Sequence, residues 1–254
     1  MRPDPNRRLA LLAPLSALAP PSLAAAKPLR ALILDTEPFS YRNASGELTG
    51  LYVALARMLA GEAGFQARVD IAPVARVVQE INRGTSDFTL LLAYDFDARA
   101  RAVGVALQLE VLVLPRLGVP LARPEDLAGR TVVGFKGTPI QHALPAEVAA
   151  RRQYVGSARA MVAMLKAGRA DAALGVRETL ISGLRAAGLR GDAADGFGPP
   201  LSLGMLDASV WVRPGLPEAD AEALARALRR VQQSGELARL RRQYLGDDRL
   251  PLKP

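Results

Sequence analysis

The chain has 254 residues, half of them hydrophobic, no cysteine and a formal net charge of +8. The length and apolar content allow one large domain or two smaller ones and exclude a largely disordered chain, while the lack of cysteine excludes disulfides and thiolate metal ligands. The arginines are dispersed, with the densest group between Arg226 and Arg242, and no aromatic and basic motif typical of RNA binding accompanies them, so no nucleic-acid partner is expected.

Residues 1–26 have the pattern of a cleavable secretory signal. Three arginines at the start precede an apolar stretch from 9 to 23, and Ala24, Ala25 and Ala26 provide the small residues of a cleavage site. The short apolar length and its internal prolines argue against a membrane anchor. Because no cysteine is available for lipid attachment, we expect the mature chain to be a soluble periplasmic protein and not a lipoprotein.

The segment from Leu29 to Arg57 predicts a strand, an aromatic loop and the start of a helix. Its short apolar run, residues 31–34, is stopped by turn-forming residues, and the apolar stripe from Leu51 onward has helical spacing. Phe39 and Tyr41 follow the strand at its carboxyl end, which is where ligands bind in open parallel sheets. These two side chains either contribute to a ligand site or pack on the edge of the sheet.

Strands and helices alternate through the rest of the first half of the chain, which predicts a parallel sheet. The expected strands are 67–71 and 88–92, with a helix between Pro73 and Gly84. A short helix is expected from Asp97 to Val103, followed by a long extended segment from Val105 to Leu114.

A second α/β unit is predicted after Gly118 and Pro120, and a second extended segment, 199–212, follows it. Within this unit, Thr138 and Pro139 have the residue types of a helix N-cap and a first helical position. The other expected elements are a helical turn at 124–127, strands at 131–135, 152–155 and 171–176, a helix at 160–167 capped by Ser157, a helix that ends at 184, and two helices between 218 and 244 broken at 234–235. The chain therefore predicts two α/β units joined by two extended crossings.

Six short motifs follow one another along nearly the whole mature chain. They are Pro38-Phe39-Ser40-Tyr41 with Gly46 to Gly50, Gly84 with Asp87, Pro124 to Gly134, Gly137-Thr138, Gly168 to Ala173, and Gly235-Glu236-Leu237. In this order they resemble the periplasmic solute-binding proteins of ABC importers, specifically the branch that binds polar amino acids.

The resemblance implies a two-lobed α/β fold of the Venus-flytrap type, in which each lobe is a mostly parallel sheet flanked by helices and hinge closure encloses a ligand in the cleft. The two extended crossings would form the hinge. Lobe 1 is expected to comprise residues 27–113 and 207–254, and lobe 2 residues 114–206. The implied partners are a small-molecule ligand and an ABC permease or membrane sensor; no cofactor is implied, and a monomer is expected.

In the resembling family, an arginine shortly after the third strand pairs with the ligand's carboxylate. Arg99 is the matching position here, with Arg101 as a register-shifted rival. Arginine suits this role because its planar guanidinium can bind a carboxylate through two hydrogen bonds. Gly137 and Thr138 match a lobe 2 turn at a helix N-terminus, where free main-chain amides also receive the carboxylate.

Several positions depart from the family's pattern. Val176, followed by Arg177, stands where an aspartate usually holds the ligand's ammonium group, and Tyr52 stands where an acidic residue is usual. An ammonium group buried beside Val176 would lack its partner, so ordinary α-amino acids are disfavoured.

Two further departures affect the same expected cleft. Tyr94 replaces the threonine or serine usual before the arginine, and Val74 or Ala75, followed by Arg76, replaces an aromatic residue after the second strand. We therefore expect an anionic or weakly polar small ligand. The residues expected to hold it are Arg99, Arg76 and Arg177 against Phe39, Tyr41 and Tyr94, in a pocket that Tyr52 has altered.

Other ligands and functions remain open at this point. Glu37 could bind a cation, which keeps an amine ligand in consideration. The same fold also presents ligands to membrane kinases or chemoreceptors, so a sensing module is an alternative. Cyclohexadienyl dehydratase-like enzymes resemble the same receptors, and His142, the only histidine, or Glu37 would then supply an acid or base. A lone histidine is more often structural or exposed, so a non-enzymatic receptor is favoured.

Overall fold

The structure is a computed structural model. It describes residues 27–93, 96, 99–135, 138–189 and 196–246. The expected signal sequence, 1–26, lies outside the described residues, and so do Tyr94 and Gly137, two of the expected ligand contacts.

In the first half of the described chain, the strands and helices alternate as the sequence predicts. In order they are β1 (Pro28–Leu34), β2 (Tyr41–Arg42), β3 (Leu48–Thr49), α1 (Leu51–Glu62), β4 (Gln66–Ala72), α2 (Val74–Arg83), β5 (Phe88–Leu92) and β6 (Arg101–Pro115).

The second half repeats the alternation and ends in two helices. Its elements are a 3-10 turn (Pro124–Leu127), β7 (Thr131–Phe135), a second 3-10 turn (Pro139–His142), β8 (Arg151–Val155), α3 (Ala158–Lys166), β9 (Ala172–Val176), α4 (Arg177–Ala186), β10 (Leu201–Val212), α5 (Glu218–Gln233) and α6 (Glu236–Leu245).

Eight of these strands form one mixed sheet, in the order β4-β1-β5-β10-β6-β9-β7-β8. The strands at each end pair in parallel, β1 with β4 and β5, and β7 with β8 and β9. Between them, β10 runs antiparallel to β5 and β6, and β6 runs antiparallel to β9. The two long central strands are the two extended crossings, and the parallel groups on either side are the sheets of two lobes. The expected two-lobed α/β fold is confirmed.

Local sequence explains most of these elements. All five residues of β5 and all five of β9 are buried, which is typical of strands covered by helices on both faces. Helix α2 follows Pro73 and ends at Gly84, whose φ of 73° is the left-handed conformation that favours glycine. The Ser157 hydroxyl accepts a hydrogen bond of 3.2 Å from the main-chain N–H of Ala160 and so caps α3, as predicted.

Two predicted helices are wrong. The helix expected up to Val103 is not formed at its carboxyl end, because the chain from Arg101 onward pairs with β10, where Arg101 lies opposite Val212. The helix expected after Thr138 is a single 3-10 turn, and the Thr138 hydroxyl donates to the Phe135 carbonyl at 3.3 Å and does not cap that turn.

Helices cover the sheet of each lobe. In lobe 1, α1, α5 and α6 pack against one another, and in lobe 2 α3 packs against α4. The expected lobe boundaries at 113/114 and 206/207 fall within β6 and β10. None of the helices in the described ranges is long and apolar enough to cross a bilayer.

Candidate functional site

A cavity of about 330 Å³ lies where the two lobes face each other across β6. Lobe 1 contributes residues that follow β1, β4 and β5 at their carboxyl ends, together with Tyr52 at the start of α1. Lobe 2 contributes the ends of β7, β8 and β9 and the first turn of α4. Its volume falls within the usual range for small-molecule sites, and its location follows the rule that ligands bind beyond the carboxyl ends of parallel strands.

The described wall of this cavity is mainly apolar. Leu109 of β6 lies between the two lobes, and the other apolar side chains include Leu34, Phe39, Val74, Leu92, Phe135, Ile140, Val155 and Val176. The polar residues of the wall are Asp35, Thr36, Tyr52, Thr138 and Thr179. Such a lining of apolar surface with a few polar groups is typical of sites that bind small organic molecules.

Asp35 is the charged side chain of this described wall, and its main chain is held on both sides. Its N–H donates to the Ala72 carbonyl at the end of β4, at 2.9 Å. Beyond it, Thr36 and Ser40 close a tight turn through main-chain hydrogen bonds of 2.9 Å in both directions, and the Ser40 hydroxyl donates to the Leu34 carbonyl. The loop that carries Asp35 is therefore fixed before any ligand binds.

Phe39 and Tyr52 form the aromatic part of the lobe 1 wall. Their ring centroids are 4.7 Å apart, the rings are tilted by 34°, and the Tyr52 N–H donates to the Phe39 carbonyl at 2.7 Å. Burial strongly raises the pKa of the Tyr52 phenol, and the nearby Glu178 carboxylate raises it further. Tyr52 is therefore a neutral hydroxyl group at physiological pH.

The structure brings several of the family departures to one place. Tyr52, Val74 and Val176 all line the cavity, and Val176 is almost fully buried at the end of β9. Thr138, a match to the family pattern, lines the lobe 2 side of the same cavity. Val74 lines this cavity, whereas Ala75 lies outside the described lining.

Arg76 and Arg177 do not reach this cavity. The Arg76 Nε atom donates to Glu80 Oε1 at 2.8 Å on the outside of α2, and this hydrogen bond is the main reason that the pKa of Glu80 is lowered. The Arg177 guanidinium binds Glu110 of β6, with Nε at 2.8 Å from Oε2, and Ser202 of β10 donates to the other carboxylate oxygen at 2.7 Å. Both guanidinium groups are thus engaged by carboxylates and lie outside the described lining of the cavity.

Arg99 is exposed, and it is not part of the cavity wall that the structure describes. Its rival Arg101 forms an ion pair with Glu218 at the start of α5. The anion-binding role of Arg99 stays a prediction.

Glu37 and Tyr41 face a different cavity of about 300 Å³. It lies between their loop, α4 and α6, and its other polar side chains include Glu178, Ser182, Arg185 and Tyr244. Burial, followed by the charge of Glu37, raises the pKa of Tyr41. These two expected ligand contacts are therefore separated from Phe39, although they belong to the same loop.

The enzyme alternative would require a catalytic acid or base, for which His142 is a candidate. His142 is exposed, with its Nε2 atom 2.9 Å from the side-chain nitrogen of Gln141, and it does not line the interlobe cavity. Within the described ranges, no group of three or more histidine, aspartate or glutamate side chains could hold a metal ion.

Sequence reasoning missed Asp35 as a site residue. It was interpreted only as part of the turn that ends β1. Its position directly after that strand is the same signal that pointed to Phe39, because side chains at the carboxyl end of a parallel strand face the ligand edge of the sheet.

A two-lobed α/β fold with an interlobe cavity defines a ligand-binding protein of the Venus-flytrap type. Residues 29–247 match the model of the bacterial extracellular solute-binding proteins, family 3, and the chain belongs to this family. No curated protein sequence matches it.

Solved structures of low sequence identity share the fold. A putative binding component of an ABC transporter from Wolinella succinogenes, complexed with lysine, has a TM-score of 0.75 and 17% identity, with coverage of 87% of this chain and 96% of that one. The GluR0 ligand-binding core in complex with L-glutamate has a TM-score of 0.71 and 14% identity, with coverage of 87% and 99%. The ancestral amino acid-binding protein AncCDT-1, a precursor of cyclohexadienyl dehydratase, has a TM-score of 0.69 and 18% identity, with coverage of 86% and 95%.

Proposed function

We propose that the protein is a periplasmic solute receptor that encloses one small molecule between its lobes and delivers it to an ABC importer. The observation that carries the proposal is the interlobe cavity, because both lobes and β6 contribute to its wall. A ligand in such a position can contact both lobes at once, so its binding energy favours a closed form.

Family membership supports the receptor role and the extracytoplasmic location. The neighbours that bind lysine and L-glutamate use the same fold, which supports a small solute as the ligand. The apolar wall and the departures at Tyr52, Val74 and Val176 favour a solute other than a standard polar amino acid. Phe39, Tyr52, Thr138 and Val176 are the proposed contacts, and Arg99 is the proposed partner if the ligand carries an acidic group.

Lobe closure can be measured directly, because the chain has no native cysteine. We would label Gln79→Cys on α2 together with Ala163→Cys on α3, two exposed positions on different lobes, with a fluorescent donor and acceptor. We would then add amino acids, amines and carboxylates one at a time. The solute that the protein binds is expected to produce a saturable change in energy transfer.

A matched pair on one lobe provides the control. Gln79→Cys with Arg229→Cys places both labels on lobe 1, at exposed positions of α2 and α5. This pair should give no ligand-dependent change. If no solute in the panel changes transfer in the two-lobe pair, while circular dichroism shows a folded protein, the receptor proposal is wrong.

Delivery to an importer requires a separate measurement. Deleting the gene should abolish uptake of the solute that closes the lobes, and complementation should restore it. Unchanged uptake, together with loss of a transcriptional or chemotactic response to that solute, would assign the receptor to a membrane sensor.

A further inference from the structure

We propose that the ligand is a small organic amine with an apolar body, and that the Asp35 carboxylate binds its ammonium group. This inference rests on the proposed receptor function and names the chemical class that the interlobe cavity selects. It differs from the anionic or weakly polar ligand that the sequence favoured and takes up the amine that the sequence left open.

The charge of the described wall is the first argument. Asp35 is the acidic residue among the described lining residues, and no ion pair joins it to another of the described residues. Tyr52 is neutral because burial raises its pKa, and the threonines are uncharged. The net charge contributed by these lining side chains is therefore negative, which favours a cationic ligand.

Ligand binding strengthens this preference. Asp35 is exposed in this structure, and a solute bound against it would remove water from its side chain. A carboxylate that loses water without gaining a cation or hydrogen-bond donors is destabilised, so closure over a neutral or anionic solute is disfavoured. An ammonium group supplies both the charge and three donors, so a cationic solute stabilises the closed form.

The remainder of the wall indicates the body of the ligand. Phe39 and Val74 from lobe 1, Leu109 from β6, and Ile140 and Val176 from lobe 2 form apolar surface around the cavity. Such surface favours an aliphatic or aromatic group over a second charged group, because burying an unpaired charge is costly.

Hydrogen bonds already order the main chain around Asp35. Its N–H is bonded to Ala72 and the following turn is closed between Thr36 and Ser40. Because this main chain is already ordered, little conformational freedom is lost when the carboxylate binds a cation. Glu37, which was considered for a cation, lies on the same loop but faces the second cavity.

Three ligands that share one apolar body separate the possibilities. We would titrate 3-methylbutylamine, leucine and 4-methylpentanoate by calorimetry, and the series 2-phenylethylamine, phenylalanine and 3-phenylpropanoate in the same way. In each series, the first ligand carries an amine alone, the second an amine and a carboxylate, and the third a carboxylate alone. The amine alone is expected to bind at least as tightly as the amino acid, and the carboxylate alone is expected not to bind.

Variants test the assignment to Asp35. Asp35→Asn should weaken amine binding by about 10–100-fold, which is the loss expected when one charge-assisted interaction is removed. Glu47→Gln is the control of equal charge change, since Glu47 is exposed on the β2–β3 hairpin and outside both cavities. It should leave amine affinity unchanged, and thermal denaturation of each variant verifies that it is folded.

If Asp35→Asn does not fold, the affinities of the wild-type protein for the two ligand series still test the inference. Tighter binding of the carboxylate or the amino acid than of the amine overturns the inference and leaves the receptor function standing. An equal effect of Asp35→Asn and Glu47→Gln overturns the assignment to Asp35. A panel in which no solute of any class closes the lobes contradicts the receptor function itself.

Discussion

Replacing Phe39 by alanine should destabilise the protein by about 3–5 kcal/mol, the usual cost of removing a buried phenylalanine ring. Only 2% of Phe39 is exposed, and its ring lies 4.7 Å from that of Tyr52, which is 3% exposed. The loss of the ring would leave a void between the β1 loop and α1, because the Tyr52 main chain remains bonded to the Phe39 carbonyl.

The destabilisation should be visible in two ways. For a chain of this size, each kcal/mol lowers the melting temperature by about 2–4 °C, so a shift of about 6–20 °C is expected. Urea unfolding followed by circular dichroism should give a lower midpoint with an unchanged slope. Phe39→Leu keeps most of the apolar volume and should cost only about 1 kcal/mol, which makes it the better variant for measuring ligand affinity.

A loss smaller than about 1 kcal/mol for Phe39→Ala would refute this reasoning. It would mean that the loop collapses onto α1 without the ring, or that the ring is not packed as the structure shows. Equal losses for the alanine and leucine variants would also contradict a cost that arises from lost volume.

Two other predictions concern stability. Arg177→Ala should lower the free energy of unfolding by about 1–3 kcal/mol at pH 7, measured by urea denaturation, because it removes a partner of the partly buried Glu110 carboxylate. Burial opposes ionisation of Glu110, but its hydrogen bonds lower the pKa below the ordinary 4.5, so this stabilisation is present above that pH and is lost as the pH falls through the folded pKa. The difference between wild type and variant should therefore shrink in acid, and a constant difference would contradict the ion-pair explanation. Gly50→Ala should cost about 3 kcal/mol, because Gly50 has a φ of 116° and a Cβ there would lie 2.4 Å from the Phe39 carbonyl oxygen. Gly64→Ala is its control, since Gly64 has a φ of 84° but an open surrounding, and equal melting temperatures for the two variants would exclude the clash.

Most helices and strands could be predicted from local sequence. The boundaries of β5 and the break between α5 and α6 follow from apolar runs and from the Ser234-Gly235 signal, which act over a few residues. The start of β6 at Arg101 could not be predicted in this way. Its pairing partner, Val212, lies more than a hundred residues away, and that pairing overrides the local helical preference.

The ion pairs of Arg76 and Arg177 also differ in whether local sequence predicts them. The partner of Arg76 is Glu80, one helical turn later, so its ion pair could have been anticipated from the spacing alone. The partner of Arg177 is Glu110 on a distant strand, and only the assembled sheet brings the two together. Arg177 is thus paired with Glu110 in this structure, and its role as a ligand contact stays a prediction.

The sequence by itself determined the two-lobed α/β fold, the family and the edge of the sheet where a ligand should bind, because these depend on periodicity and on the order of short motifs. It did not determine which acidic side chain faces the cleft. Asp35 and Glu37 are two residues apart on one loop, yet the first lines the interlobe cavity and the second lines another. The Asp35 N–H is hydrogen-bonded to the Ala72 carbonyl at the end of β4, and the Pro38 and Phe39 carbonyls accept from the main chain of α1, so contacts that are distant in sequence fix the course of this loop.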